Sequence, residues 1–507
     1  MLFLWPVAGF AQNPVFEPVA APAHIYQGGW EHFVGGGIAS FDCDGDSLPE
    51  LFAAGGSAPA ILLKNRSTRG GSVRFEEQTP DSLAITGVTG AYPIDIDSDG
   101  AVDLVILRVG PNLILKGDGA CGFATSTDIV IEPNDRWTTA FSATWEAGSE
   151  LPTLAFGNYV DRSAPDGPFG ACDQNELYRP ASTRYGAAQS LTPGFCPLSM
   201  LFSDWGRNGR ADLRISNDRH YYVKGGQEQM WAMEPLPRLF TKEEGWQPYQ
   251  IWGMGIASRD LSGDGLPDVY LTSMADQKLQ VLESANSPRY RDATYEMGTT
   301  AQRPYTGGDG RPSTGWQVSF GDVQNDGLDD IFIAKGNVDQ MPGSAMEDPN
   351  NLLVQSADGT FLEQGLEAGI ATLARSRGAA LVDFNLDGLL DLAVVNRRAP
   401  IEIYQNTTPV SGQWLSVDAR QPAPNLNAIG AWIELRIEGR TMAREITIGG
   451  GHAGGALGPQ HFGLGAAESG EIRIIWPDGK TSQWASFSAN STLILQRSGS
   501  EFDMIEN

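Results

Sequence analysis

The chain has 507 residues, with 62 Asp and Glu against 35 Lys and Arg, for a formal charge of −27. Such a balance makes nucleic acid a poor partner, and past the first eleven residues no stretch reaches the roughly 18 apolar residues that a membrane span requires. With 61 Gly and 31 Pro and no long stretch of helical apolar periodicity, the composition points to an all-β protein with many turns.

Residues 1–11, "MLFLWPVAGFA", are apolar and end on small residues. They read as a signal peptide remnant without its positive n-region, against the plainer alternative of a hydrophobic N-terminal strand. His24 and His32 follow in "AHIYQGGWEHFVGGG", where packing or hydrogen bonding outweighs acid–base work by Glu31 and His32.

A series of acidic loops then begins. "DCDGDSLPEL" carries Asp42, Asp44, Asp46 and Glu50, with Ser47 in place of a glycine. "DIDSDGAVDL" carries Asp95, Asp97, Asp99 and Asp103. A third segment near Trp145 has the flanking pattern and no ligand set. "DWGRNGRADL" keeps Asp204, Asn208 and Asp212 but has Gly206 where an oxygen donor belongs. "DLSGDGLPDV" carries Asp260, Ser262, Asp264 and Asp268. "DVQNDGLDDI" carries Asp322, Gln324, Asp326 and Asp330, and "DFNLDGLLDL" carries Asp383, Asn385, Asp387 and Asp391.

Clustered carboxylates repel one another unless a positive charge sits between them. Calcium takes six to eight oxygens in irregular geometry, which donors at positions 1, 3, 5 and 9 of a tight loop can offer. Glycine at position 6 permits the turn. Five good copies predict about five bound calcium ions. An EF-hand is excluded, since short strands and no helix follow the last ligand, and position 12 lacks its Glu.

The flanks repeat with the loops. A glycine-rich approach such as "VGGGIASFD" precedes each loop, and short runs such as "LVILRV" and "NLILKG" follow. Runs of four to six Val, Ile and Leu bounded by Gly and Asp are strands. Each unit is therefore about four antiparallel strands, and seven of them at a period of roughly 50–60 residues predict a seven-bladed β-propeller.

Cys172 and Cys196 lie in one long connection and are expected to pair, with Cys43 and Cys121 as a second bridge. Four cysteines without a C-x-x-C spacing suit an oxidising compartment rather than a metal site. The propeller reading covers 24–406, and 407–413 is a linker. Residues 414–497 alternate as strands without an acidic loop and predict a small β-sandwich or barrel. His452 and His461 flank glycines there and read as turn residues.

The repeats resemble the FG-GAP/VCBS calcium repeats of integrin α-subunit-like propellers. The stretches "NAIGAWIEL", "REITIGGGHAGG", "QHFGLG" and "IIWPDG" resemble the ASPIC/UnbV domain. Together they are similar to the CRTAC1-like (cartilage acidic protein-like) family, across residues 24–497. That resemblance implies secretion, calcium, and a backbone carbonyl ligand at loop position 7, but no defined activity.

No G-x-S-x-G, H-E-x-x-H or P-loop appears. Function therefore reads as a secreted calcium-binding adhesion or binding module for a protein or glycan ligand, with no catalytic residue. The alternative is an extracellular polysaccharide lyase or hydrolase with a cleft made by the long insertions. Those insertions, 161–197, 216–237 and 299–314, carry Arg219, His220, Tyr221, Tyr222, Trp231, Arg303, Tyr305 and Arg311. Arginine and aromatic residues on loops over a rigid scaffold are the usual material of a binding face, which is expected opposite the calcium loops.

Overall fold

A computed structural model describes residues 13–164, 170–218, 223–300, 310–409 and 412–506. The protein is all-β, and the one helical element among the described residues is a 3-10 turn at Trp30–His32. Apolar runs become strands here because they are covered on both faces. In Asp103–Gly110, the side chains Leu104, Val105, Ile106 and Leu107 are all fully buried.

Each repeat folds as an antiparallel unit of four strands. The innermost strands are Ile38–Phe41, Val88–Ile94, Arg136–Thr144, Pro197–Ser203, Gly253–Arg259, Gly315–Gly321 and Arg375–Val382. Each of them lies beside the innermost strand of the next unit, and the last lies beside the first. The last unit takes its outer strand from the other end of the chain. Phe16–Val19 pairs with Glu402–Asn406, in the register Phe16↔Asn406, so the closing strand lies ahead of residue 24.

The glycine-rich approaches now have a reason. Innermost strands shift register at their glycines, between Val88 and Gly90, Gly253 and Ile256, and Gly315 and Val318. Such bulges bend a strand and let another backbone come close.

That other backbone comes from the C-terminal region. Its strands form two sheets, one ordered Gln460–Gly465, Gln413–Arg420, Ser491–Ser498 and Glu501–Glu506, the other Arg440–Glu445, Trp432–Ile437, Ser469–Ile475 and Ala485–Ser488. Alternating residues Leu415, Val417, Ile433, Leu435, Phe462, Ile472, Ile474, Leu493 and Leu495 form their shared core. From the second sheet, residues 446–457 enter the centre of the ring. Ile448 bridges to Ala143, Gly449 to Leu201, Gly451 to Ile256 and Gly454 to Ala91, and Ala456–Leu457 pairs with Ser40 and Phe41.

His452 sits within this segment, fully buried. Its backbone N–H donates to Gln317 Oε1 at 2.5 Å, its ring lies 4.9 Å from that of Trp316, and Nε2 is 3.2 Å from the Gly35 carbonyl. His461 lies in a strand, with Nε2 3.0 Å from the Gly388 carbonyl. Neither is a turn residue set apart from the repeats, as the sequence reading had them. Both join the C-terminal region to the ring.

Both expected disulfides are formed, Cys43–Cys121 and Cys172–Cys196. The first ties the first acidic loop to the turn before Phe123–Thr125 of the second unit.

Candidate metal centres

All six acidic loops share one backbone form. Positions 4 and 6 are both left-handed: Gly45 and Ser47, Ser98 and Gly100, Arg207 and Gly209, Gly263 and Gly265, Asn325 and Gly327, Leu386 and Gly388. This is why glycine recurs at position 6 and why Ser47, at φ 71, is held where side chains are disfavoured.

The position-1 aspartate organises the turn. Asp322 accepts from Asp326 N at 3.1 Å and Gly327 N at 2.6 Å, and Asp383 accepts from Asp387 N and Gly388 N at 3.1 and 2.8 Å. Asp95 accepts likewise from Asp99 N and Gly100 N, and Asp260 from Gly263 N and Gly265 N. The position-9 carboxylate ties the loop to the sheet. Asp391 accepts from Phe384 N at 2.9 Å and Asn406 N at 2.8 Å. Asp330 accepts from Val323 N and Gln355 N, Asp268 from Leu261 N and Leu282 N, and Asp103 from Ile96 N and Gly117 N.

The loops therefore place each set of candidate ligands on the same backbone turn. Burial pushes Asp103, Asp268 and Asp383 up to about 7 and Asp95 and Asp260 up to about 6. Burial and the neighbouring carboxylates hold Asp322, Asp330 and Asp391 well above the usual range.

Position 3 tests whether a cation fits. Gln324 and Asn385 are 1% and 0% exposed. Their amide nitrogens donate to Asp326 and Asp387 within the loop, at 2.7 and 2.9 Å. Their oxygens, Gln324 Oε1 and Asn385 Oδ1, are buried without a hydrogen-bond partner, as is Asp97 Oδ1. Buried acceptors in that state are costly unless a ligand satisfies them. The sixth and seventh loops thus fit a hard cation held by Asp322, Gln324, Asp326 and Asp330, and by Asp383, Asn385, Asp387 and Asp391.

The first and second loops differ. Lys64 Nζ lies 2.6 Å from Asp44, 2.7 Å from Glu50 and 3.5 Å from Asp46. Lys116 Nζ contacts Asp97 and lies 3.2 Å from Asp99. The carboxylates of Asp42, Asp44 and Glu50, and of Asp95, Asp97 and Asp99, still come close enough to share one centre. The sequence reading missed both lysines. Their signal was present as the same position in "ILLKN" and "LILKG", but it becomes legible only once the strand register is known.

In the fourth loop, Trp205 Nε1 donates to Asp212 at 2.8 Å. Glu445 of the C-terminal region accepts from Ser203 Oγ and Asp204 N, both at 2.6 Å. The C-terminal sheets in fact cover the loop face widely. Arg444 reaches Asp329 at 2.9 Å, Arg207 reaches Glu434 at 2.6 Å, and Asn425 N donates to Ser98 Oγ at 2.9 Å. A cleft of about 970 Å³ runs between the sheets and the ring, lined by Asp42, Arg259, Asp383, Trp414 and Arg444 among others.

Of the insertion residues, Arg219, His220, Tyr221, Tyr222, Arg303 and Tyr305 lie outside the described residues, as do residues 1–11. Trp231 is 5% exposed and packs in the core of the fourth unit with Phe202 and Leu213, so it lines no binding face. Aromatic residues do gather at the ring face opposite the loops. Trp30, which is 43% exposed, Phe33, Trp137 and Tyr159 meet there edge to face or stacked.

The all-β repeat ring with acidic loops and its C-terminal β region are each similar, over part of their length, to a known family. Residues 260–333 match the FG-GAP-like repeat family and residues 421–501 the ASPIC and UnbV family. Cartilage acidic protein 1 of Mus musculus is 24% identical over 499 residues, covering 90% of this chain and 73% of that protein. The Xenopus tropicalis protein of the same name is 24% identical over 506 residues, with the same coverage. The chain is thus similar to cartilage acidic protein 1 along nearly all its length.

Among solved structures, BBS1N in complex with ARL6DN aligns at a TM-score of 0.46 and 10% identity, over 78% of this chain and 97% of that one. An Agrocybe aegerita lectin aligns at a TM-score of 0.39 and 12% identity, over 72% of this chain and 93% of that one.

Proposed function

We propose that the chain is an extracellular calcium-binding protein that acts as a binding or adhesion module. Its repeats are the blades of a seven-bladed propeller, and its C-terminal strands are a β-sandwich seated on the calcium-loop face. The propeller takes in Phe16–Val19 as well as 24–406, and the β-sandwich runs from Gln413 to Glu506, past the expected limit at 497. The neighbour order of the innermost strands supports the ring, and two disulfides support an oxidising compartment.

The observation that carries calcium is the pair of buried, unpartnered acceptors Gln324 Oε1 and Asn385 Oδ1 inside acidic loops. Calcium there stiffens the floor on which the C-terminal region rests. That leaves the opposite face, with exposed Trp30, for a protein or glycan partner.

The test is calorimetry with and without chelator. An ion that binds only the folded chain adds stability by mass action, so EDTA is expected to lower the thermal midpoint by about 5–10 °C, reversibly on calcium addition. A midpoint indifferent to EDTA, with no calcium by elemental analysis, refutes the proposal.

A further inference from the structure

The third strand of each unit places one side chain opposite the position-9 carboxylate. The register fixes which residue this is. Leu51 pairs with Leu63, so Lys64 faces Glu50. Leu104 pairs with Leu115, so Lys116 faces Asp103. By the same count, Val269↔Gln280, Ile331↔Leu353 and Leu392↔Tyr404 put Val281, Val354 and Gln405 in the equivalent places.

Only the first two units therefore aim an ammonium group into their loop. Lys64 is 5% exposed, and its Nζ lies within 2.7 Å of Asp44 and Glu50 oxygens. Lys116 holds Asp97 through Oδ2, and Asp99, while Asp97 Oδ1 keeps no hydrogen-bond partner. Valine at 281 and 354 brings no charge. Gln405 turns away, donating to Gly71 O at 2.9 Å and accepting from Val73 N at 3.1 Å.

We propose that Lys64 and Lys116 take the place of the calcium ion in the first and second loops, so that only the fifth, sixth and seventh loops bind metal. The Lys64 ammonium, almost fully buried, lies against Asp44, Asp46 and Glu50, and that of Lys116, 30% exposed, lies against Asp97 and Asp99, so each meets part of the electrostatic need that a dication would. Its positive charge also opposes entry of a second cation a few ångströms away. The first two loops are then closed independently of calcium supply, while the other three depend on it. This inference rests on the calcium reading above and sets its stoichiometry.

Native mass spectrometry of the full chain, dialysed against calcium, reads the count directly. The expected result is about three ions per chain. Four or five ions overturn the lysine substitution and leave the calcium reading intact, whereas none overturns both. The double variant Lys64→Met, Lys116→Met removes both ammonium groups and nearly keeps side-chain length. It is expected to gain two ions, reaching about five. A folded variant that still holds three overturns the proposal. If the variant does not fold, the wild-type count decides alone.

Discussion

The carbonyl oxygen of Ala453 accepts a hydrogen bond from Ala91 N at 3.1 Å and occupies the space where a side chain on Gly90 would begin. Gly37 of the first unit meets the same carbonyl in the same way. The two glycines leave room for the C-terminal segment in the ring centre, and adding one methyl group there displaces that segment. Gly90→Ala is expected to cost about 2–3 kcal/mol by overpacking. Limited proteolysis should show new cleavage within 446–457, which the wild type resists.

The two kinds of loop carboxylate should respond differently to removal. Asp391 is fully buried, and its oxygens accept from Phe384 N and Asn406 N. Asp391→Ala leaves both donors without a partner and is expected to cost about 3 kcal/mol even in EDTA. Asp387 caps only Leu389 N and receives the Asn385 amide. Asp387→Ala is expected to lose most of its effect once calcium is chelated, and urea melts in both buffers separate the two cases.

His452 supplies a pH dependence. Burial first, then the nearby Arg377 guanidinium, lower its pKa from 6.5 to about 3. The imidazole stays neutral when folded and gains a proton when unfolded. Its contribution is complete above pH 6.5 and is lost progressively as the pH falls from 6.5 towards 3. In EDTA, the wild type should lose stability over this window faster than His452→Gln, so the difference between their midpoints depends on pH. A constant difference from pH 7.5 to 4.5 rules the assignment out.

Ser47 holds φ 71 at the position that is glycine in the other acidic loops. Ser47→Gly is expected to relieve this and to raise stability by about 0.5–1 kcal/mol, net of the glycine's added freedom when unfolded. The same substitution at Ser40, in an innermost strand, should destabilise.

The sequence made the repeats legible because each loop must place four donors at fixed spacing and turn twice within six residues. Residues as separate as Asp42 and Asp383 therefore carry one pattern. The cysteine pairs were legible too, from their place in connections. The outer strand of the last unit was not. "FEPV" is short and lacks periodicity, and its partner Glu402–Asn406 lies nearly 400 residues further along the chain. Nor was the central segment, because a run of glycines does not tell that Gly449, Gly450 and Gly454 face the Met200, Ile256 and Ile38 backbones. Trp231 looked like binding-loop material in sequence and proved to be core, because its neighbours in the chain form a strand.

The pairing of Phe16–Val19 with Glu402–Asn406 also sets an order of assembly. The ribosome delivers this strand ahead of the repeats, yet its partner emerges only with the last of them. Until then the newborn N-terminal segment has no edge to join, and the ring has no seam to close. Chains that stall anywhere before residue 406 cannot fasten, however well their earlier repeats have folded. Closure of the ring therefore waits for residue 406, at a stage when the C-terminal segment that fills its centre has still to be made.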